Sequence, residues 1–167
     1  MRKSAATITS VVFFALAPGL VAGFMPWYLT NGWTRNEGRD GWLLAVLGVA
    51  LVVAGVAVLV HAFVRFVIEG LGTPAPVAPT ERLVVGGLNR YVRNPMYLAV
   101  VATILGQALL LARPILLAYA AIAFATMAAF TLLYEEPVLA RQFGAEYTEY
   151  CKRVPRWLPR IRHGSRS

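Results

Sequence analysis

Long apolar runs without internal charge constrain this chain more than any other feature of its sequence. Residues 8–29, 96–112 and 114–134 contain no charged side chain, and residues 42–68 contain one, Arg65, near the end of the run. A helix needs about 20 apolar residues to cross the hydrocarbon core of a bilayer. The sequence therefore predicts an all-α integral membrane bundle of about four transmembrane helices.

Composition supports a membrane protein and excludes several other classes. The chain has 167 residues, of which 58% are hydrophobic and 14% charged, whereas soluble domains are about half apolar and about a quarter charged. Intrinsic disorder and a fibrous protein do not fit these values. With Cys151 as its only cysteine, the chain cannot form an internal disulfide.

Prolines and glycines divide the chain into one membrane domain with four parts. Only Arg113 and Pro114 separate the third and fourth runs, so these runs are predicted to form a tight helical hairpin, with Pro114 in the first turn of its second arm. Pro18 and Pro26 are expected to kink or shorten the first run. The predicted parts are two N-terminal spans (1–68), a cytoplasmic loop (69–95), the hairpin (96–134) and a C-terminal helix with a basic tail (135–167).

The N-terminus has two interpretations. Arg2 and Lys3 precede an apolar run, as in a cleaved signal peptide. However, the run continues to Leu29 and no small-residue cleavage site ends it. A retained span is therefore favoured.

The basic residues predict orientation. The chain has 16 Lys and Arg against 8 Asp and Glu, for a net charge of +8. Placing both termini inside puts 13 of the 16 basic residues on the cytoplasmic side, as the positive-inside rule requires. We expect a protein of the cytoplasmic (inner) membrane with cytoplasmic termini. No groove-reading motif accompanies the charge, so nucleic acid is not an expected partner. In this orientation an aromatic belt is predicted at the outer membrane interface, formed by Trp27, Tyr28, Trp33 and Trp42.

Aromatic spacing predicts a helix in the tail. Phe143, Tyr147, Tyr150 and Val154 are 4, 3 and 4 residues apart, which places them on one helical face. We expect one helix over residues 137–153, lying at the membrane interface.

The start of the third span is a candidate anion site. Asn94 is a favoured N-cap residue and Pro95 a favoured first helical residue. Free N–H groups at a helix start attract anions, and Arg90 and Arg93 add positive charge beside it. Gly86 and Gly87 permit close approach of the backbone. The alternative interpretation is a capped helix with arginines that reach into the interface.

Glu135 and Glu136 form a second candidate site. Both follow the fourth apolar run, where acidic groups oppose the helix dipole and lie near hydrocarbon. They are candidates for accepting hydrogen bonds from hydroxyl groups or an ammonium. Solvated interfacial glutamates are the alternative. His61, four residues before Arg65, is a further ionisable candidate. The sequence shows no metal-ligand cluster, so no metal is expected.

Four short segments, in order, resemble one enzyme family. They are residues 87–97 (GLNRYVRNPMY), 135–139 (EEPVL), 143–147 (FGAEY) with Tyr150, and 154–156 (VPR). The ordered set resembles the isoprenylcysteine carboxyl methyltransferase and phospholipid methyltransferase superfamily of membrane enzymes. That resemblance implies S-adenosylmethionine as methyl donor, bound by the cytoplasmic ends of the last two helices and the C-terminal segment. It implies cofactor contacts at Gly87, Tyr91, Arg93, Asn94, Pro95, Tyr97, Glu135 and Glu136.

One position departs from the pattern of prenylcysteine-type members, which usually have histidine where this chain has Asn94. Asparagine keeps the hydrogen-bonding capacity but does not titrate.

The sequence thus predicts a membrane-embedded methyltransferase. It would transfer a methyl group from S-adenosylmethionine to a lipid-like or small apolar acceptor that enters from the bilayer, leaving S-adenosylhomocysteine. Arg93, Asn94 and Glu136 are the expected catalytic residues. Candidate acceptor contacts are His61, Tyr147, Arg153 and Arg156. The alternatives are a phospholipid N-methyltransferase acting on an ethanolamine head group, and a non-catalytic scaffold or small transporter.

Overall fold

The computed structural model describes residues 16–36, 41–69, 83 and 85–159. This part of the chain is helical and contains no β-strand, which confirms the all-α prediction. A short 3₁₀ turn at Gly87–Arg90 precedes the third helix. The five helices are α1 (Leu16–Leu29), α2 (Trp42–Glu69), α3 (Pro95–Leu110), α4 (Ile115–Phe143) and α5 (Ala145–Arg153).

Two of the five helices are long and apolar enough to cross a membrane. They are α2, over Trp42–Ala62, and α4, over Ile115–Phe143. At 16 residues, α3 is about 24 Å long, shorter than the roughly 30 Å hydrocarbon core of a bilayer. The described part of α1 is shorter still, because residues 8–15 of the first predicted span lie outside the described residues. Of the four expected membrane spans, two therefore correspond to helices long and apolar enough to cross a bilayer, α2 and α4.

Glycines bring α2 and α3 into backbone contact. A Cβ atom added at Gly48 would lie 2.6 Å from the carbonyl oxygen of Gly106, and one added at Gly106 would lie 2.7 Å from that of Gly48. Two turns further along α2, a Cβ at Gly55 would lie 2.8 Å from the carbonyl oxygen of Ala99. Small residues allow this close approach, which is a common way to associate helices in membranes. The contacts run along the first half of α2, from the last turns of α3 at Gly106 back to its second turn at Ala99.

Each π turn in the structure lies just before a proline. The turn Leu20–Phe24 precedes Pro26, and the turn Thr131–Glu135 precedes Pro137. Proline has no N–H, and its ring collides with the preceding turn of an α-helix. A π turn holds one residue more than an α turn, and this extra residue accommodates the proline so that the helix continues. Thus α1 runs through Pro26 to Leu29, rather than ending there.

Side chains from the hairpin bind carbonyl groups that the first π turn exposes. In an α-helix the Ala22 carbonyl would accept from position 26, where proline has no N–H. Gln107 Nε2 donates to that oxygen at 2.7 Å, and the Tyr119 hydroxyl donates to the Val21 oxygen at 2.9 Å. These bonds join α1 to α3 and α4.

The hairpin prediction is confirmed. Helix α3 ends at Leu110, Ala112 has a φ of 51°, and α4 begins at Ile115 directly after Pro114. Arg113 Nε donates to the Thr34 carbonyl at 2.9 Å, and its Nη2 donates to the Thr34 hydroxyl at 2.6 Å. These bonds tie the hairpin tip to the segment that follows α1.

Two predicted helix ends are wrong. The fourth run was expected to end at residue 134, with Glu135 and Glu136 at a helix C-terminus. Instead α4 continues through the second π turn to Phe143, so both glutamates lie inside a helix. The single helix expected over 137–153 is broken at Gly144, whose φ of 51° favours glycine.

We predict that Gly48→Ala destabilises the protein by about 1–3 kcal/mol, because the added methyl group meets backbone atoms that cannot move aside. Gly19→Ala is the matched control, since nothing lies within 4 Å of a Cβ at Gly19. The control should be neutral or stabilising by up to about 1 kcal/mol. Thermal unfolding in detergent measures both, and equal effects would contradict the close crossing.

Candidate functional site

The start of α3, the second half of α4 and the tail after α5 meet at one place. The backbone N–H of Arg93, just before α3, donates to the carbonyl of Pro155 in the tail at 2.9 Å. Gly87, with a φ of 59°, begins the 3₁₀ turn that leads into this segment. Residues far apart in sequence therefore line one site.

Glu136 is the centre of the site and binds two arginines. Its Oε1 lies 3.0 Å from Arg93 Nη1 and 2.7 Å from Arg156 Nε, and its Oε2 lies 2.7 Å from Arg156 Nη2. The two bonds from Arg156 form the bidentate geometry that strengthens arginine–carboxylate pairs. These hydrogen bonds to Glu136 raise the pKa of the Arg156 guanidinium. We call Arg93, Glu136 and Arg156 the ionic triad; its formal charge is +1.

Arg93 is the most buried member of the ionic triad. Its side chain is 13% exposed, against 18% for Glu136 and 33% for Arg156. Arg93 Nη1 also lies 2.9 Å from Cys151 Sγ. Its Nε is buried and has no hydrogen-bond partner among the described residues. A buried donor without a partner is unfavourable, so this atom has unused hydrogen-bonding capacity.

Asn94 contacts the tail instead of capping its helix. It occupies the N-cap position, because the Leu98 N–H donates to its carbonyl oxygen, and Pro95 is the first helical residue as predicted. The expected side-chain capping bond is not formed. The buried Asn94 amide donates to the Arg156 carbonyl at 3.3 Å. This bond holds Arg156 beside α3.

Glu135 and Glu136, although adjacent, bind different groups. Glu135 Oε2 accepts from the Tyr97 hydroxyl at 3.3 Å, which joins α4 to the first turn of α3. The family resemblance implies that both are cofactor contacts; in the structure Glu136 belongs to the ionic triad and Glu135 pairs with Tyr97 beside it.

Two tyrosines of α5 pack behind the ionic triad. Tyr147 is 6% exposed, and the Tyr150 hydroxyl donates to the Asn89 carbonyl at 2.7 Å. Burial raises the pKa of Tyr150 to about 12 and also raises that of Tyr147. Both side chains are therefore neutral phenols near neutral pH.

Two cavities flank the segment before α3. The apolar groove, of about 550 Å³, lies between α2 and α3 and is lined by Gly55, Val58, Tyr91, Val92, Pro95 and Ala99, among others. A second cavity, of about 640 Å³, lies beyond the start of α3. Its lining combines the apolar residues Leu83, Val85 and Val154 with Arg90, Tyr91, Glu146, Glu149, Tyr150 and Arg153. Tyr91 lines both.

The remaining candidates lie apart from the ionic triad. His61 is exposed on α2, and the side chain of Arg65 lies outside the described residues. Arg153 pairs with Glu149 at 2.9 Å on the exposed face of α5. Sequence reasoning missed Cys151 as a neighbour of Arg93. Its position four residues after Tyr147, on one face of a helix, was the available signal.

A comparison with family models matches residues 43–146 to the phospholipid methyltransferase family. A comparison with curated proteins finds no match. The family match covers most of α2 and all of α3 and α4, and stops before Arg156. Together with two helices long and apolar enough to span a bilayer, it identifies a membrane protein. The match extends over more than half of the sequence, so the chain belongs to the phospholipid methyltransferase family, part of the superfamily that includes the isoprenylcysteine carboxyl methyltransferases.

Proposed function

We propose that the protein is an S-adenosylmethionine-dependent methyltransferase, and that its ionic triad binds the carboxylate of the cofactor. The buried Arg93 Nε, without a partner among the described residues, is the observation that carries this proposal. The family supplies the reaction class, and the triad supplies a place for an anion.

Charge balance favours an anionic ligand at the ionic triad. Two guanidiniums face one carboxylate, and the side chains are mostly buried. Because water is largely excluded, the remaining positive charge is poorly solvated. A ligand carboxylate would neutralise it and accept a charge-assisted hydrogen bond from Arg93.

The other residues of the site suit the remaining parts of the cofactor. Glu135 retains acceptor capacity beside Tyr97 for ribose hydroxyls or an ammonium group. Asn94 holds the tail carbonyl of Arg156 and thereby keeps the tail over the site. When bound, S-adenosylmethionine supplies a sulfonium methyl group that a nucleophile displaces in line. The chain's main contribution is to position both partners and exclude water.

We propose a lipid-like acceptor that enters from the bilayer. The apolar groove borders Pro95 and Val92, next to Arg93 and Asn94, and can take the apolar part of such a molecule. Because the chain belongs to the phospholipid methyltransferase family, the ethanolamine head group of a phospholipid is the second candidate acceptor. Incubation with labelled methyl donor and lipid extract distinguishes them, since labelled amines appear in phospholipid only for the second.

We predict that Arg93→Gln weakens binding of S-adenosylhomocysteine roughly tenfold to 150-fold, the range expected for loss of one hydrogen bond to a charged group. Arg141→Gln is the control, because Arg141 is exposed and its Nε donates within its own helix, to the Pro137 carbonyl. Calorimetric titration of the purified protein measures both affinities. Unchanged affinity for Arg93→Gln would refute the proposed pocket.

The same titration tests the non-enzymatic alternative. If folded wild-type protein, monodisperse on size exclusion, binds no S-adenosylhomocysteine, the chain acts as a scaffold or transporter. Saturable binding excludes that alternative.

We predict strong coupling between Glu136 and Arg156. Glu136→Ala and Arg156→Ala should each weaken cofactor binding, because each breaks the bidentate pair that holds the tail over the site. The double variant should lose less than the sum, with a coupling energy of about 1–3 kcal/mol. Additive losses would mean that the two side chains act separately.

A further inference from the structure

The tail after α5 contacts α4 far from the end of that helix. The ring of Trp157 meets the ring of Phe124 edge to face, with 5.0 Å between the ring centres. Phe124 is the tenth residue of α4, a helix long and apolar enough to cross a membrane. It lies about 18 Å before Glu136 along the helix, and its side chain leans toward the N-terminal end, away from Glu136. Trp157 therefore contacts α4 near the middle of its apolar length.

Pro159, two residues further along the tail, also lies against the apolar part of the bundle, beside α2. It lines the apolar groove together with Ala54 of α2 and Ala102 of α3. Ala102 is the eighth residue of α3, so it lies about 10 Å inside that helix. Residues 154–159, which we call the tail segment, therefore cross the start of α3 between α4 and α2.

The shortness of α3 leaves room for the tail segment within the depth of a bilayer. Helix α3 is about 24 Å long, whereas the hydrocarbon core is about 30 Å thick. The hairpin turn aligns the last turn of α3 with the beginning of α4, so the shortfall lies at the start of α3. There the Arg93 N–H donates to the Pro155 carbonyl at 2.9 Å. The Asn94 amide donates to the Arg156 carbonyl at 3.3 Å.

The composition of the tail segment suits an apolar environment. Backbone N–H groups without partners are costly in hydrocarbon. Two of the six residues, Pro155 and Pro159, have no N–H, and the Val154 N–H donates back into α5 at 3.0 Å. The one charged side chain, that of Arg156, is paired with Glu136. These features lower the cost of placing non-helical backbone in lipid.

Leu158 gives the tail segment an outward-facing apolar side chain. It is 80% exposed, although its neighbour Trp157 packs on α4 and its neighbour Pro159 lines the groove. At this depth, the outside of the bundle is surrounded by acyl chains. Transfer of a leucine side chain from water into hydrocarbon is favourable, so lipid contact stabilises the position of the segment.

We propose that residues 154–159 re-enter the bilayer, and that Leu158 contacts the acyl chains of the leaflet that contains the start of α3. The partner of this surface is lipid hydrocarbon. The sequence predicts that the whole of residues 135–167 lies on the cytoplasmic side, so this inference moves six of those residues into the membrane. Insertion also has a structural consequence, because the inserted segment carries Arg156 to Glu136. None of these contacts depends on methyl transfer or on a bound cofactor.

Spin-label accessibility measures the depth of position 158. The full-length Leu158→Cys variant, in a Cys151→Ser background, is labelled with a nitroxide and placed in phospholipid nanodiscs. Lys152→Cys is the aqueous reference, because Lys152 is exposed on α5. Val53→Cys is the mid-bilayer reference, because Val53 is 62% exposed near the middle of the apolar part of α2. Collision with dissolved oxygen and with a nickel chelate is measured at each label.

The ratio of the two collision rates separates lipid from water. Oxygen enters hydrocarbon, whereas the polar nickel chelate is excluded from it. The oxygen-to-nickel ratio at position 158 should exceed that at position 152 by more than about tenfold and approach that at position 53. A ratio nearer to that at position 152 would overturn the proposal.

A charge at position 158 gives a second test that leaves Cys151 in place. Leu158→Asp puts a carboxylate among acyl chains and should expel the tail segment, so tryptic cleavage after Arg156 in nanodiscs should become faster by about tenfold or more. Thr148→Asp is the matched control, because Thr148 is exposed on α5, and its cleavage rate should equal that of the wild-type protein. If the segment lies in water, a charge at an exposed position changes little, and equal rates in the two variants would contradict insertion.

Neither experiment includes S-adenosylhomocysteine. Failure of the proposed cofactor site would therefore leave the depth of the tail segment as measured, and the reverse also holds.

Discussion

The contact of one carboxylate with two guanidiniums holds the functional end of this protein together. Glu136 belongs to α4, Arg93 precedes α3, and Arg156 belongs to the tail. This contact joins all three segments at one carboxylate, and a main-chain bond from Arg93 to Pro155 reinforces the junction. Each charge-assisted bond contributes about 1.5–3 kcal/mol where water is limited. The contact therefore decides where the tail lies, and hence which surfaces line the site.

The bundle that supports this contact depends on small residues between helices and on side chains that bind the carbonyl groups left free near a proline. Gly48 and Gly106 let α2 and α3 touch at the backbone near the end of α3, and Gly55 does the same at Ala99, nearer its start. Gln107 and Tyr119 bind the carbonyls exposed near Pro26, which fixes α1 against the hairpin. Apolar side chains cover the outside of α2, where Leu43, Val46 and Val53 are more than half exposed. Such a surface suits lipid rather than water.

Long apolar runs predicted the helices well and their ends less well. Such runs identified α2, α3 and α4, and Pro114 located the hairpin turn. The ends of α4 and α5 were misplaced for a definite reason. Pro137 looked like a helix start, and a π turn at Thr131–Glu135 is not visible in an apolar pattern. Gly144 was read as part of a motif, although a positive φ there breaks the predicted tail helix.

The sequence predicted which residues belong to the candidate site, but it did not predict the contacts that they make. Arg93, Asn94 and Glu136 were chosen from local motifs, and the structure places them together. Their partners were not foreseen, because the Asn94 amide meets the tail 62 positions along the chain and Arg93 meets Cys151 58 positions along. Such pairs depend on how the tail folds back, which no local pattern encodes. That Tyr91 lines both cavities likewise appears only when α2, α3 and α5 are assembled.

The second π turn sets the angular phase of α4. One inserted residue turns the rest of a helix by about 100° relative to an uninterrupted one. The π turn thus rotates the second half of α4, which carries Glu136, relative to the first half, which packs in the bundle. A lineage that lost one residue within Thr131–Glu135 would keep an apolar span of nearly the same length. Its Glu136 would point about a quarter turn away from Arg93. Relatives that vary in length at this turn would therefore be expected to bring their carboxylate to the site from a neighbouring position.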